Sequence, residues 1–256
     1  MKQLRAIGYR EVEAAGYGRY TAKDYRKFLD DAGLACPSAH LAFKKGTDFA
    51  PLFDDAHTLG ASFATSSSMF PPAPQSSASS AGSPAGPAAL KPALGPDGFK
   101  YLVELMNDIG VKAKAAGLQY AYHNHSHEFE LLPDGTPGYD YMLAHTDRDL
   151  VKFEIDCGWM CVAGHSPAGY MKKYPGRFRM LHVKDFKPVA RPFTTAASGP
   201  RPQGTELGRG FIDYKPIFAA GKAAGILHVF AEQESPYAVS PIDSARTDYA
   251  YLHSFS

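Results

Sequence analysis

Short apolar segments alternate with amphipathic segments along most of the chain, and this alternation predicts a parallel α/β structure. The predicted strands are YREVEAAG, CPSAHLAF, ASFATSS, LQYAYHNH, LVKFEIDCGW, FRMLHVKDF and ILHVFAEQE. Each is followed by a segment with helical periodicity, and signals such as Thr21 as an N-cap, or Ser166 before Pro167, mark the helix starts. With a further helix at the N-terminus, the pattern predicts seven strands and eight helices.

This order of elements is typical of a (β/α)8 barrel of the TIM type. The pattern has one strand fewer than a complete barrel, and the missing one is the first, because a helix precedes the first predicted strand. We therefore predict an α/β fold, a TIM barrel without its first strand, that forms one domain over residues 1–256. The alternative is an open doubly wound sheet, but no predicted strand is followed by a G-x-G-x-x-G motif.

Two segments interrupt the regular pattern. Residues 71–96 are rich in proline, alanine, serine and glycine, so they predict a low-complexity loop insertion, either a lid or a disordered segment. Residues 187–210 contain Gly204, Gly208 and Gly210 shortly before a helix, where backbone amides can bind a phosphate. Both segments come after strands, which places them on the face where barrel enzymes have their active sites.

Composition limits the function to a few classes. The 256 residues are 45% hydrophobic, which is enough for the core of one large domain. Lys and Arg number 27 and Asp and Glu 26, so the formal net charge of +1 gives no basic surface for nucleic acid or an anionic membrane. A small neutral or weakly charged substrate fits this balance better, and a homo-oligomer stays open as a further partner.

The cellular location is predicted from three features. No apolar run reaches the roughly 18 residues of a membrane span, and the first residues, MKQLRAIGYREVE, lack the apolar region of a signal peptide. The odd count of three cysteines leaves at least one thiol free and favours a reducing compartment. We expect a cytoplasmic protein, or a periplasmic one if a signal peptide preceded this sequence.

Polar residues of the metal-binding type gather at the C-terminal ends of the later strands. Asp156 ends FEID, His182 lies in LHVKD, and Glu232 lies in VFAEQE. The C-terminal ends of parallel strands meet at one mouth of a barrel, so these side chains can converge although they are far apart in the chain. Carboxylate and imidazole groups suit Mn²⁺, Mg²⁺, Co²⁺ or Zn²⁺. The strand ends therefore predict a divalent metal site.

The period of two along a strand identifies further side chains that face the barrel interior. The pairs that share a face are His123 with His125, Glu154 with Asp156, and His182 with Lys184. A buried Glu154 is costly unless it is paired or hydrogen-bonded, so it has either a chemical role or a compensating Lys or Arg nearby.

His40 and Trp159 are candidates for substrate binding. His40 lies in the strand CPSAH, and Trp159 comes just after the strand FEID, where an aromatic ring can stack on a sugar. Each candidate also has a purely structural explanation: a polar strand end for His40, packing for Trp159, and a core or surface histidine for His125. The pattern leaves both explanations open.

Several of these segments resemble a known family. YHNHSHEF, FEIDCGWMCVAG, GRFRMLHVKDF and FAEQE are similar to the sugar phosphate isomerase/epimerase family of xylose isomerase-like (β/α)8 barrels, and AIGYREVEAAGY and LDDAGLACPSAH match its early units. The resemblance covers nearly the whole chain except the low-complexity segment. Relative to that family the chain begins inside the first helix, so it looks truncated, and a signal peptide would be lost with the first strand.

The resemblance implies one bound divalent metal ion, most often manganese, with ligands from the later strands. Asp156, His182 and Glu232 match three of the family's ligands. Many relatives have a glutamate where this chain has His123, so the first ligand is open: His123 binds the metal, His125 binds it, or only three side chains do. The predicted metal ligands are His123, Asp156, His182 and Glu232.

The activity implied by the resemblance is that of a metal-dependent isomerase or epimerase, which converts a sugar, sugar phosphate or polyol through a metal-stabilised enediolate. The predicted catalytic residues are Glu232 and Glu154, which move the proton, and Lys184, which positions substrate oxygens. The predicted substrate-binding residues are His40, His125 and Trp159.

The same residues also suit a keto-sugar or inosose-type dehydratase or lyase, which is the alternative prediction. The mass of the product separates the two reactions, because dehydration removes a water. A third hypothesis is a non-catalytic sugar-binding barrel. A fourth, phosphodiester cleavage as in endonuclease IV, needs several zinc ions and a basic face for DNA, and the near-neutral charge argues against it.

Overall fold

The computed structural model describes residues 1–71, 94–195 and 199–255, and in this part of the chain a parallel sheet curls into a nearly closed barrel with helices around it. The strands of the barrel are β1 (Glu11–Ala14), β2 (Ala35–His40), β3 (Phe63–Ser67), β4 (Gln119–His123), β5 (Val151–Asp156), β6 (Phe178–Val183) and β9 (His228–Ala231). They pair in this order, each neighbour parallel to the next. Two short strands, β7 (Asp185–Phe186) and β8 (Gly204–Thr205), form a separate antiparallel pair.

The predicted TIM barrel without its first strand is confirmed. Over the described ranges the barrel sheet has seven strands, and a helix precedes the first of them. β1 and β9 are the two edges of this sheet and share no backbone ladder there, and we call the gap between them the seam. A side-chain pair crosses the seam, where Glu11 Oε2 of β1 lies 2.7 Å from His228 Nδ1 of β9. Glu13 of β1 reaches the next strand, β6, where its Oε2 lies 2.6 Å from His182 Nε2.

The predicted helices are all present. The helices are α1 (Lys2–Ile7), α2 (Ala22–Asp30), α3 (Ala50–Leu59), α4 (Gly95–Ala115), α5 (Gly138–His145), α6 (Cys157–Val162), α7 (Pro167–Lys173), α8 (Tyr214–Ala224) and α9 (Pro241–His253). Thr21 and Asp24 form a capping box at the start of α2, and Ser166 Oγ accepts a hydrogen bond from the Gly169 N–H at the start of α7. The pattern does not predict α6, because CGWMCV is apolar throughout and has no polar face.

The barrel interior has an apolar floor below a polar upper layer. Phe63, Ala121, Met180 and Phe230 pack together as a cluster separate from the core under the helices. Two residues further along, β4 and β6 carry His123 and His182. The period of two along each strand therefore places ionisable side chains directly above a floor that excludes water.

The loop after β6 is organised by Asp185. Its carboxylate accepts hydrogen bonds from the backbone N–H groups of Phe186, Gly208, Gly210 and Ile212, at 2.9 to 3.3 Å. A Cβ atom on Gly210 would lie 2.0 Å from Asp185 Oδ1, so this close approach requires glycine. The amides of Gly208 and Gly210 are therefore used within the protein and are not available to bind a phosphate, which the glycines of this loop had only weakly suggested.

The low-complexity loop predicted at residues 71–96 lies almost entirely outside the described residues, which stop at 71 and resume at 94. α4 begins at Gly95, one residue before the predicted end of the loop at 96. None of the helices in the described ranges combines the length and the apolar character that a transmembrane segment needs.

Asp248 on α9 is a buried carboxylate whose ionisation should affect stability. It accepts a hydrogen bond from the Leu207 N–H at 2.8 Å. Burial raises the pKa of Asp248 to about 6 from an ordinary 3.8, and the charge of Glu206 adds to the rise. As pH rises, the unfolded chain therefore loses this proton first. The favourable contribution of protonated Asp248 is complete below about pH 4 and is lost by about pH 6.

We expect Asp248→Asn to remove this pH dependence. Asparagine keeps an oxygen for the Leu207 N–H but cannot ionise, so the free energy of unfolding of the variant, relative to wild type, should rise between about pH 4 and pH 7 by up to about 3 kcal/mol. Urea denaturation at each pH measures the difference. Asp54→Asn, which removes an exposed carboxylate on α3, is the matched control. Parallel pH profiles for Asp248→Asn and wild type would contradict the prediction.

Candidate metal centre

Four side chains with metal-ligating atoms converge at the C-terminal mouth of the barrel. His123 ends β4 and Asp156 ends β5. His182 lies in β6, and Glu232 comes directly after β9. The parallel register places His123 beside Glu154 and Asp156 beside His182. One ligating atom from each of the four lies within 4.8 Å of those of the others, so the structure brings together the four residues predicted as metal ligands.

His182 lies at the centre of this group, and both of its ring nitrogens face carboxylates. Nδ1 is 3.1 Å from Glu232 Oε2, and Nε2 is 2.6 Å from Glu13 Oε2. Glu154 Oε2 lies 3.4 Å from the same Nε2. Burial lowers the pKa of His182, but the charges of Glu154 and Glu13 outweigh it and raise the pKa well above its ordinary value. Without a metal ion this arrangement favours the positively charged imidazolium, and binding of a metal by this ring would release the proton.

Asp156 shows why a cation fits this group. Its Oδ1 accepts a hydrogen bond from the Trp159 N–H at 2.8 Å and so caps the N-terminus of α6. Its Oδ2 is buried, has no hydrogen-bond partner within the described ranges, and lies 3.7 Å from His123 Nε2. Burial and the charge of Glu232 raise the pKa of Asp156 to about 8. A divalent cation would give Oδ2 a partner in a set of two imidazoles and two carboxylates, so these residues fit a metal.

A second group of side chains, beside the predicted ligands, centres on Glu13. Glu13 Oε1 accepts a hydrogen bond from Ser38 Oγ at 2.5 Å, and Oε2 lies 2.9 Å from His40 Nε2. Burial raises the pKa of Glu13, but His40 and His182 outweigh it and hold the pKa well below its ordinary value. Glu13 is not among the residues predicted from the sequence. The available signal was the alternation in YREVEAAG, which puts Glu11 and Glu13 on one face of a strand.

His40 carries the positive charge that pairs with the Glu13 carboxylate. Burial lowers its pKa, but the charge and hydrogen bond of Glu13, with a contribution from Glu154, raise it to about 9. The His40 side chain is 19% exposed, more than its carboxylate partner, because it reaches the surface of a cavity at the barrel mouth. His40 is therefore a cation that a substrate can touch.

Glu154 is completely buried and connects the two groups. Its Oε2 lies 3.0 Å from His123 Nδ1, 3.4 Å from His182 Nε2 and 3.5 Å from His40 Nε2. The ligating atoms of these three histidines and Glu154 also lie within 4.8 Å of one another, so two overlapping sets share His123 and His182. Burial is the main reason why the pKa of His123 is lowered, which favours the neutral form that binds metals.

The cavity at the barrel mouth, which we call the metal cavity, has a volume of about 390 Å³ and lies against these groups. Its polar lining residues include Glu13, His40, His123, His125, His182 and Glu232. The volume is within the range of small-molecule sites. Glu154 is not among the described residues that line this cavity, so it reaches a bound substrate only through its histidine neighbours.

His125 lines the metal cavity but belongs to neither set of converging ligands within the described ranges. Its ring centre lies 5.0 Å from that of His123 and 6.0 Å from that of Trp159. The buried Glu128 fixes the backbone here, because it accepts hydrogen bonds from the His125 N–H at 2.9 Å and the Tyr122 hydroxyl at 2.7 Å. His125 is thus held where it can contact a substrate.

Lys184 is buried beside Glu232 and, among the described residues, lines neither the metal cavity nor the cleft next to it, so the structure does not bring it to the cavity surface as predicted. Its Nζ lies 3.1 Å from Glu232 Oε1, 3.3 Å from Glu234 Oε2 and 5.2 Å from the centre of the Trp159 ring. Burial lowers the pKa of Lys184, but Asp156 and Glu232 outweigh it and raise the pKa, so the ammonium group stays charged. Trp159 lines a neighbouring cleft rather than the metal cavity.

Comparison with known proteins identifies the family of the chain. A family model described as xylose isomerase-like TIM barrel matches residues 1–254. An inosose dehydratase from Clostridium perfringens is 30% identical over 168 residues, which are 62% of this chain and 55% of that protein. The chain thus spans about half the length of the curated relatives it matches.

Solved structures with the same fold cover nearly the whole chain. A sugar phosphate isomerase/epimerase from Parabacteroides distasonis has a TM-score of 0.72 and 26% identity, and the match covers 98% of this chain and 85% of that one. The IOLI protein, solved with a bound zinc atom, has a TM-score of 0.71 over 99% of this chain and 90% of that one. Its 14% identity shows the fold alone.

Proposed function

Because the chain belongs to the family of xylose isomerase-like TIM barrels, we propose that it is a metal-dependent dehydratase that removes water from a keto-polyol or keto-sugar. The convergence of four ligand-type side chains beside a cavity lined by acid and base groups is the observation that carries this proposal. The inosose dehydratases among its relatives, at up to 30% identity, favour dehydration over isomerisation.

The proposed metal ligands are His123, Asp156, His182 and Glu232. A divalent ion held by them would polarise a substrate carbonyl and make the neighbouring C–H group more acidic. Two imidazoles and two carboxylates suit Mn²⁺, Co²⁺ and Zn²⁺, and Mg²⁺ less well because it prefers oxygen ligands. Mn²⁺ is our first choice.

Glu232 is the proposed base. Its side chain is 28% exposed and lines the metal cavity, so it can reach a C–H group of the substrate. Lys184 and His182 each hold one of its oxygens, at 3.1 Å. These two contacts fix the direction of the carboxylate, and the hydrogen bond from His182 and the charge of Lys184 hold its pKa below the ordinary value, although burial acts against them.

His40 is the proposed acid, with Glu13 behind it. In a dehydration, Glu232 takes a proton from the carbon next to the carbonyl, and the hydroxyl on the following carbon leaves with a proton from His40. A carbon–carbon double bond forms and one water is released. The proton on Glu232 then returns to solvent, and His40 takes a proton from solvent, so both groups are restored. Glu13 Oε2, 2.9 Å from His40 Nε2, favours the protonated imidazole and orients it.

Glu154, predicted from the sequence to move a proton, has a positioning role in this proposal. It is completely buried and lies against His123, His182 and His40, so it sets the orientation of imidazoles that touch the metal or the substrate. His125 and Trp159 keep their predicted place as substrate contacts.

An isomerase or epimerase is the second candidate. The match to the Parabacteroides distasonis sugar phosphate isomerase/epimerase, at 26% identity and a TM-score of 0.72, favours it. Both reactions begin with removal of a proton next to a carbonyl. They differ afterwards, because an isomerase returns a proton to carbon or oxygen and an epimerase to the opposite face, while no hydroxyl leaves.

Measurement of the product mass distinguishes the dehydratase from the isomerase or epimerase. Purified protein, loaded in turn with Mn²⁺, Co²⁺, Zn²⁺ and Mg²⁺, is incubated with inososes and a panel of keto-sugars, and the products are analysed by mass spectrometry and chiral chromatography. We expect a product lighter by one water, and a loss of at least about 100-fold in kcat for His40→Asn. A product of unchanged mass would establish the isomerase or epimerase instead. Sugar binding without turnover for every metal would indicate a non-catalytic barrel.

A further inference from the structure

A second cleft, whose walls the proposed chemistry leaves largely unused, lies next to the metal cavity. This rim cleft has a volume of about 600 Å³, and its lining includes Trp159, Phe186, Arg201, Gln203, Gln233 and Tyr237. Gln233 lines both the rim cleft and the metal cavity, so the two spaces adjoin. Each has the volume of a small-molecule site, so a substrate of one ring would occupy only one of them.

We propose that the rim cleft binds a second, uncharged ring joined to the reacting unit, so that the substrate is a neutral two-ring compound such as a disaccharide or other glycoside. This inference rests on the proposed function for the unit in the metal cavity. It adds the class of substrate and the residues that select it.

The aromatic walls of the rim cleft suit a ring. The ring centres of Trp159 and Phe186 lie 4.8 Å apart, with the planes tilted by 54°. Trp159 is only 5% exposed, and its indole N–H has no hydrogen-bond partner within the described ranges. The ring of a sugar can stack on such a surface through its C–H face, while an unpartnered indole N–H can donate a hydrogen bond to a hydroxyl.

The charges around the rim cleft argue for an uncharged ligand. Arg201 Nη2 lies 3.5 Å from Glu234 Oε2, and the same oxygen lies 3.3 Å from Lys184 Nζ. Lys184 is also paired with Glu232, so the two cations face two carboxylates. This balance leaves no net positive charge for a phosphate or carboxylate group of the substrate.

The remaining polar groups of the cleft are neutral. Gln203 and Gln233 offer amides that both donate and accept hydrogen bonds, and Tyr237 offers a hydroxyl and a third aromatic ring. Hydroxyl groups of a sugar also donate and accept, so these side chains match a polyhydroxylated ring better than an apolar or charged one.

Binding can be measured without turnover, because Trp159 is the single tryptophan of the chain. The Mn²⁺-loaded protein is titrated with glucose, with maltose, cellobiose, lactose and trehalose, and with glucose 6-phosphate, and the tryptophan fluorescence is recorded. We expect at least one disaccharide to bind about tenfold more tightly than glucose, and glucose 6-phosphate to bind no more tightly than glucose. Equal affinity for one and two rings, or tighter binding of the phosphate, would overturn the proposal.

Variants test which residues select the second ring. In Gln203→Ala and Tyr237→Ala, the Kd of the preferred disaccharide should rise about tenfold, and that of glucose should change less than about twofold. Gln3→Ala, on the exposed side of α1, should leave both constants unchanged. Circular dichroism and Tm confirm that each variant is folded. An equal loss for glucose and disaccharide in the two cleft variants would overturn the assignment.

These results stay separate from the test of the dehydratase. Tight disaccharide binding without release of water contradicts the proposed reaction and supports the rim cleft. Dehydration of a single-ring substrate, with no gain in affinity from a second ring, contradicts the rim cleft and supports the reaction.

Discussion

Asp156→Ala should lose its bound divalent metal, and with it at least about 1000-fold in kcat/KM. Asp156 Oδ2 is a buried atom without a hydrogen-bond partner in the described part of the chain, and its carboxylate supplies one of two negative charges in the predicted ligand set. Its removal leaves two imidazoles and one carboxylate. Metal content after dialysis, measured by elemental analysis, and the affinity for Mn²⁺, measured by calorimetry, test this expectation.

Asp156→Asn separates the metal from the helix cap. Asparagine keeps an oxygen for the Trp159 N–H but loses the charge, so we expect it to lose metal like the alanine variant. In chelator, Asp156→Asn should retain about 1 kcal/mol of the unfolding free energy that Asp156→Ala loses with the cap. Asp54→Asn again serves as the exposed control. Stoichiometric metal in both Asp156 variants would rule out the proposed site.

Glu13→Ala should lower the free energy of unfolding by about 3 to 5 kcal/mol. The Glu13 side chain is only 4% exposed, accepts hydrogen bonds from Ser38 and His182, and forms an ion pair with His40. Its removal leaves two imidazoles without this carboxylate and the Ser38 hydroxyl without one of its partners. Urea denaturation in chelator measures the effect of these bonds without any contribution from a bound metal.

Glu11→Ala is the matched control for Glu13→Ala. Glu11 is on the same face of β1 and also pairs with a histidine, His228, but its side chain is 41% exposed. We expect it to cost less than about 1 kcal/mol, because solvent screens exposed ion pairs. Glu13→Gln, which keeps an oxygen acceptor, should fall between the two alanine variants. If Glu13→Ala and Glu11→Ala were equally stable, the contacts of Glu13 with Ser38, His40 and His182 would not stabilise the fold as predicted.

The barrel was predictable because its strands and helices have clear periods. The seven strands and their parallel order can be predicted from alternating segments and turn residues, and the structure confirms them. α6 was not predictable in this way. Its six residues are almost all buried between the sheet and its neighbours, so they lack the polar face that reveals a surface helix.

The part of the candidate site on β4, β5 and β6 could be predicted from strand ends. The part that Glu13 contributes depends on closure of the barrel. His123, Asp156 and His182 lie at the ends of consecutive strands of the sheet, so strand polarity alone brings them together. Glu13 and His182 are 169 residues apart and meet only because β1 curls round toward β9. A pattern within one strand carries no information about that contact.

The reaction was less predictable than the site. The family predicted from the sequence is confirmed by the match over residues 1–254, but removal of a proton beside a carbonyl is common to isomerases, epimerases and dehydratases. The fate of the deprotonated substrate depends on whether an acid stands near the leaving hydroxyl. His40, with Glu13 behind it, is the group in the metal cavity that suits this step, and its partner was not predicted.

The seam gives this barrel a line along which it can open. Over the described residues β1 and β9 share no ladder of backbone hydrogen bonds there, and the side-chain pair of Glu11 and His228 joins them. Glu13, on the β1 side of the seam, contacts His182 of β6, a proposed metal ligand. Binding of a metal at the barrel mouth should therefore change how often the sheet opens locally at the seam. We expect metal loading to slow amide hydrogen exchange in β1 and β9 more than in β3 and β4, which lie in the middle of the sheet.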